Sequence, residues 1–125
     1  MAEHNDLGRW GEELAVQKLI CDGCAIVERN WQSRTFEMDI IAMRGSALVF
    51  CEVKTRRPGG DPYEALTPKK MRQMLRAANA YVTAHRLPHE IQFDFFAIVG
   101  TPGSDDYTLD HIPDIIIDDG GDLVH

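Results

Sequence analysis

Apolar positions recur along this chain at two spacings, one helical and one alternating, and the changes between them mark out the elements. In "DLGRWGEELAVQKLICD", residues 6 to 22, Ala15, Val16, Leu19 and Ile20 fall on one helical face. Asp6 is placed to cap this helix and Gly23 to stop it. "AIVERNW", residues 25 to 31, reads as a strand, as do "FEMDIIAM", 36 to 43, and "LVFCEVK", 48 to 54. The last two flank a short turn containing Gly45, which predicts an antiparallel hairpin. "RRPGGDPYE" reads as a loop rich in Pro and Gly. Thr67 followed by Pro68 is a cap and first-turn signature. The helix it opens runs to about His85, with Met71, Met74, Leu75, Ala78, Val82 and His85 itself on one stripe. "IQFDFFAIV", residues 91 to 99, is nearly all apolar, the mark of a central strand buried on both faces. "YTLDHI" offers one more strand at an edge.

The order αβββαβ implies an antiparallel meander and then a helical crossover that lets the fourth strand run parallel to the third. The predicted fold class is α/β, a mixed sheet flanked by helices. A chain of 125 residues, 44% of them hydrophobic, suits one domain over 1–125, with 113–125 a loose acidic tail. No apolar run approaches membrane-spanning length, and "MAEHNDLGRW" does not read as a signal peptide. Three cysteines argue against a disulfide scaffold. A cytoplasmic protein without a membrane or small-molecule cofactor partner is expected.

Charged residues interrupt two of the predicted strands. Strand side chains alternate, so Glu52 and Lys54 share a face with Leu48 and Phe50, while Glu37 and Asp39 share one with Ile41 and Met43. The short turn between the strands brings Asp39 within reach of Glu52, with the register left open. On the first helix Glu12 precedes the apolar stripe by three, four, seven and eight residues, so it faces the sheet. Inward carboxylates without partners are costly and are normally paired or bound to a metal. Carboxylates at a sheet rim are hard oxygen ligands suited to Mg²⁺ or Mn²⁺, and a lysine beside them suits phosphodiester hydrolysis.

Net charge is −7, yet its distribution is uneven. Residues 105 to 125 carry seven acids and no Lys or Arg, whereas 53 to 76 carry seven bases against Asp61 and Glu64. A local basic region next to an acidic pair keeps nucleic acid among the partners.

The ordered set "GEELA", "ERNW", "EMDIIA", "LVFCEVKTR" and "ALTPKKMRQMLRAANAYV" resembles the bacterial YraN-like family, itself similar to Holliday-junction resolvases and the PD-(D/E)xK nuclease superfamily. The resemblance spans roughly residues 7 to 100. It implies a restriction-endonuclease-like fold and a Mg²⁺- or Mn²⁺-dependent endonuclease-like activity on DNA, on branched or structured forms. It implies metal ligands at Asp39, Glu52 and the Val53 carbonyl, a catalytic Lys54, and Glu12 as an accessory acid. Arg56, Arg57 and Lys70 would touch the phosphate backbone, and a resolvase role would require a homodimer. Phe36 stands where the family usually has Gly, Cys51 where Val is common, and the acidic C-terminus is atypical. The alternative is a nucleic-acid- or partner-binding module that keeps the fold without cleavage.

Other features read as structural. Cys21 and Cys24 lack the further ligands a zinc site needs. Trp10 and Trp31 suit helix–strand packing better than base stacking, and Lys69, Arg72 and Arg76 suit a solvated face of the second helix.

Overall fold

A computed structural model describes residues 2–87, 90–117 and 123–124. Helix α1 (Ala2–Cys21) leads into β1 (Ala25–Ser33), β2 (Phe36–Arg44) and β3 (Ala47–Arg56). A 3₁₀ turn (Pro62–Ala65), α2 (Pro68–His85), β4 (Glu90–Val99) and β5 (Thr108–Ile112) follow, then the short strands β6 (Ile116–Ile117) and β7 (Leu123–Val124). Five strands form one sheet in the order β1-β2-β3-β4-β5. Every pairing is antiparallel except β3 with β4, so α2 is the crossover; β3 is the middle strand, and β4 lies inside the sheet between β3 and β5. This is the α/β mixed sheet anticipated from the sequence, and it is consistent with a nuclease-like α/β fold.

Alternation along β3 divides the core. Leu48 and Phe50 join Met74, Ala77, Ala78 and Tyr81 of α2 on one face. Val49, Cys51 and Val53 join Ala15, Val16 and Leu19 of α1 on the other. The β2–β3 connection has two central residues, and Gly45 at the first has φ +60°, the pattern of a II′ hairpin turn. Thr67 caps α2 by accepting from the Lys70 N–H at 3.1 Å, with Pro68 in the first turn.

Several local expectations change. Helix α1 begins at Ala2, so Asp6 lies inside it and is not its cap. Its buried stripe is Gly11, Ala15, Val16 and Leu19, whereas Ile20 is 49% exposed. At about 100° per residue Ile20 is turned roughly half a revolution from Gly11, away from the sheet. Gly23 does end the helix: it has φ +90°, and the Gly23 and Cys24 N–H groups close onto the Ile20 and Leu19 carbonyls. The Pro/Gly loop contains the 3₁₀ turn, capped by Asp61 accepting from the Tyr63 N–H at 2.9 Å. His85 is exposed and stacks on Tyr81 with ring centroids 4.1 Å apart.

The acidic run 113–125, which composition alone makes a loose tail, is attached over its first residues. Ile115 is buried in the α2-side core, and its N–H donates to the Phe93 carbonyl at 2.7 Å. Ile116 and Ile117 pair with Val124 and Leu123, while residues 118–122 and 125 lie outside the described residues. No helix among the described residues is long and apolar enough to cross a membrane.

Candidate active site

The acidic pair arises where β2 leaves β3. The ladder runs from Arg44 opposite Ala47 to Ile40 opposite Cys51, and one further step of that register faces Asp39 with Glu52. There strict alternation fails: Met38 belongs to the α2-side core and Ile40 to the α1-side core, although they are two residues apart. Asp39 is thereby left at the rim, where its Oδ2 accepts the Val53 N–H at 2.8 Å. Ile41 keeps to the α2 side as alternation requires, so the departure is confined to the residues around Asp39.

Glu52 is 7% exposed, and its Oε2 meets the Lys70 ammonium of α2 at 3.2 Å. Burial and then the nearby Asp39 charge raise its pKa to about 8, with Lys70 opposing the shift. Burial also raises Asp39, against the Val53 N–H and a hydrogen bond to Glu52 that lower it. Both carboxyl groups are thus pushed toward their neutral forms, and they titrate as a coupled pair.

Glu12 approaches from the other helix. Gly11 makes this approach close: a Cβ there would lie 1.9 Å from the Thr55 Oγ1 of β3. Glu12 is turned toward the sheet, with its side chain 12% exposed. It is held by Asn30 Nδ2 at 2.9 Å and Arg29 Nη2 at 3.3 Å. Burial raises its pKa, and the charge of Asp39 raises it further. Glu12 therefore belongs to the electrostatic field of the pair. It is not a third ligand in contact, since no three His, Cys, Asp or Glu among the described residues are grouped tightly enough to share a metal ion.

A cleft of about 280 Å³ lies over this pair, and Asp39, Glu52, Val53, Lys54 and Lys70 all line it. The half-buried Lys54 has no side-chain hydrogen bond or ion pair among the described residues. The lysine paired with the acidic centre is thus Lys70, where the sequence pattern points to Lys54. Arg56 is half-buried and Arg57 exposed, both beyond the residues lining the cleft. The β1 partners of Glu12, Arg29 and Asn30, lie in "ERNW", a stretch that carries the family resemblance without marking a role for either residue. Asn30 has φ +52°, a conformation Asn tolerates better than most residues.

The donor set fits a hard divalent cation. The buried Glu52 and the half-buried Asp39, with Lys70 beside them, are oxygen donors whose mutual repulsion such an ion would relieve. Two protein carboxylates suit Mg²⁺, which keeps several of its waters.

On the α1 face of the sheet Asp94, opposite Cys51 in the β3–β4 register, is fully buried in β4, a polar centre that the sequence motifs do not mark. It accepts from Arg44 at 2.5 Å, from the Asp114 N–H at 3.0 Å, and lies 2.6 Å from His111 Nε2. Burial pushes its carboxyl up, but His111, Arg44 and the Asp114 N–H together outweigh that and hold it below the usual range. An acid inside the apolar run "IQFDFFAIV" was the available signal. Trp10 and Trp31 pack edge-on against Tyr107 and Tyr81, at 5.6 and 5.2 Å.

Fold and cleft together define a helix-flanked mixed-sheet α/β protein with an acidic pair at the end of its central hairpin. The chain belongs to the Uncharacterised protein family UPF0102, whose family profile matches residues 11–98; this is the YraN-like family of the motif resemblance. It is similar to the UPF0102 protein of Christiangramia forsetii, 41% identical over 116 residues that cover 91% of this chain and 96% of that one. The UPF0102 protein of Flavobacterium psychrophilum is 44% identical over 100 residues, 78% of this chain and 84% of that protein. That of Bacteroides thetaiotaomicron is 40% identical over 114 residues, 90% and 93% of the two chains. The span 11–98 contains Gly11, Glu12, Asp39, Glu52, Lys54 and Lys70, and leaves out β5 and the acidic run.

Proposed function

We propose that this protein is a metal-dependent, nuclease-type phosphodiesterase acting on DNA. The observation that carries the reading is the placement of Asp39, Glu52, Lys54 and Lys70 around one cleft of about 280 Å³. In the hydrolysis, a water oxygen bonds to phosphorus and the bond to one sugar oxygen breaks. The water's protons end on that leaving oxygen and in solvent. Mg²⁺ or Mn²⁺, held by Asp39, Glu52 and the Val53 carbonyl, would stabilise the charge developing on the phosphoryl oxygens. Lys54, with its ammonium uncommitted, orients the attacking water and offsets charge on the phosphoryl group. Lys70, released from Glu52, contacts a neighbouring phosphate. Glu12 acts through its charge on Asp39 and is itself oriented by Arg29 and Asn30. Arg56 and Arg57 extend positive charge along the backbone of the substrate, where contacts position without reading sequence. Incising both strands of a branched DNA would need two such centres, hence a homodimer.

Incubation with duplex, single-stranded, flapped and four-way DNA in Mn²⁺ or Mg²⁺ tests the reading. Cleavage should depend on the metal and disappear in Asp39→Ala. A second reading, a DNA-binding module without cleavage, draws on the Lys70–Glu52 ion pair, which already neutralises one ligand. Salt-sensitive DNA binding with no cleavage of any substrate would favour it.

A further inference from the structure

Two large clefts beyond the acidic one differ in what their polar groups are doing. The groove of about 660 Å³ between the end of α1 and β5 is lined by Lys18, Asp22, Arg44, His111 and others. Its charges satisfy one another: Lys18 pairs with Asp22, Arg44 with Asp94, and His111 with Asp94. That network ties the hairpin, β4 and the segment after β5 together, and it commits the groove's Lys, Arg and His side chains to partners within the fold.

The cleft of about 230 Å³ beside the acidic centre is different. Glu37, Glu52 and Lys70 line both it and the acidic cleft, so the two adjoin. Its apolar lining comes from the half-buried Phe36 and the buried Met74. Its polar lining includes Gln73 and Arg76 of α2, both exposed and without side-chain hydrogen bonds or ion pairs among the described residues. An aromatic face suits stacking, the Gln amide both donates and accepts, and the guanidinium suits a base edge or a phosphate. Glu37 and Glu52 disfavour a bare phosphate as the occupant. A paired base in a duplex has both faces stacked and its pairing edge engaged, so it cannot enter.

We propose that this pocket takes one unpaired nucleobase of a DNA strand, adjacent to the phosphate held over Asp39 and Glu52. This deepens the nuclease reading and rests on it. It names the substrate class: DNA with an unpaired nucleotide beside the reacting phosphate, such as a flap, bulge or branch point.

The test is binding of the full chain, without metal, to two labelled DNAs of equal length and charge. One is a perfect duplex and the other carries a short flap with 2-aminopurine at its base. The flap should bind at least about tenfold more tightly, and the 2-aminopurine fluorescence should change on binding. Gln73→Trp, which fills the pocket from an exposed position, should remove both the preference and the fluorescence change while duplex binding stays. Arg76→Gln should reduce the preference and the fluorescence change in the same way and serves if the Trp variant folds poorly. Equal binding of the two DNAs, or an undiminished preference in a folded variant, would overturn the proposal. So would displacement by free deoxynucleoside monophosphate as effective as by the flap, which would make this a mononucleotide site. Cleavage is scored separately: a flap preference without cleavage sinks the nuclease reading alone, and cleavage without preference sinks the pocket alone.

Discussion

At the residue scale the chemistry turns on which groups carry protons and which lysine neutralises them. Glu52 has a folded-state pKa raised to about 8 by burial and Asp39, against an ordinary value of 4.5. A raised carboxyl binds its proton more tightly in the folded state. Its contribution to stability is therefore complete below the ordinary value and is lost as pH rises toward 8. Metal-free protein should lose a few kcal/mol between about pH 5 and pH 8, since each tenfold gain in proton affinity on folding is worth about 1.4 kcal/mol. Urea unfolding across that range would measure it, and Glu52→Gln should flatten the slope. At pH 8 Mn²⁺ should restore the loss, because a cation that binds only the folded state stabilises it. The lysines should separate just as clearly. Lys70 neutralises Glu52, so Lys70→Met should destabilise the metal-free protein by about 1 kcal/mol or more and tighten Mn²⁺ binding. Lys54 has no such partner, so Lys54→Met should change stability by only a few tenths of a kcal/mol and reduce any cleavage by orders of magnitude. Equal destabilisation by the two variants would place Lys54 in the pair after all.

At the scale of elements, the fold was legible because periodicity and punctuation agreed. The hairpin turn at Gly45, the Thr67–Pro68 start of α2 and the apolar run of β4 each have a local physical cause visible in the sequence. The carboxylates of the candidate site were legible for the same reason: charges inside strand patterns need an explanation. The rest depended on long-range geometry. Ile20 continues a stripe in sequence that the helix in fact turns away from the sheet, and Ile115 sits in what composition makes an acidic tail. The register that faces Asp39 with Glu52, and the choice of Lys70 as partner, follow from how β2 leaves β3 and how α2 lies across them. Helix approach is the clearest such case. Replacing Gly11 with Ala would ordinarily favour a helix by up to about 1 kcal/mol. Here the new Cβ would sit 1.9 Å from Thr55 Oγ1, so α1 must shift away from β3. Gly11→Ala should destabilise by about 1–3 kcal/mol, the usual cost of overpacking. Thr55→Ala in the same chain should recover part of the loss, and a double-mutant cycle by chemical denaturation would show the coupling. Additive effects would mean that the helix and strand do not meet there.

At the scale of the molecule, charge and packing assign different work to the two halves of the C-terminal segment. Asp94 anchors the first half through Asp114, and Ile115 fills the α2-side core beside it. Ending the chain after Ile112 would remove that buried side chain, its bond to Phe93 and the β6 pairing, and should cost several kcal/mol, within the range for losing a buried aliphatic residue. Ending it after Ile117 loses the short β6–β7 pairing but keeps Ile115 and removes Asp118, Asp119 and Asp122, a change in net charge from −7 to −4. If the protein binds DNA, its overall negative field opposes approach, and that opposition is long-ranged only when salt is low. The shorter chain should fold with a melting temperature within a few degrees of the full one and bind DNA more tightly at low ionic strength. The difference should shrink as salt is raised, because screening removes a repulsion between separated charges first. Anisotropy titrations of one labelled DNA at two salt concentrations would decide it. Weaker binding by the shorter chain at both would mean that residues after Ile117 contact DNA or build its site. A gain that persists undiminished at high salt would mean that they physically cover the cleft, and charge would not be the reason.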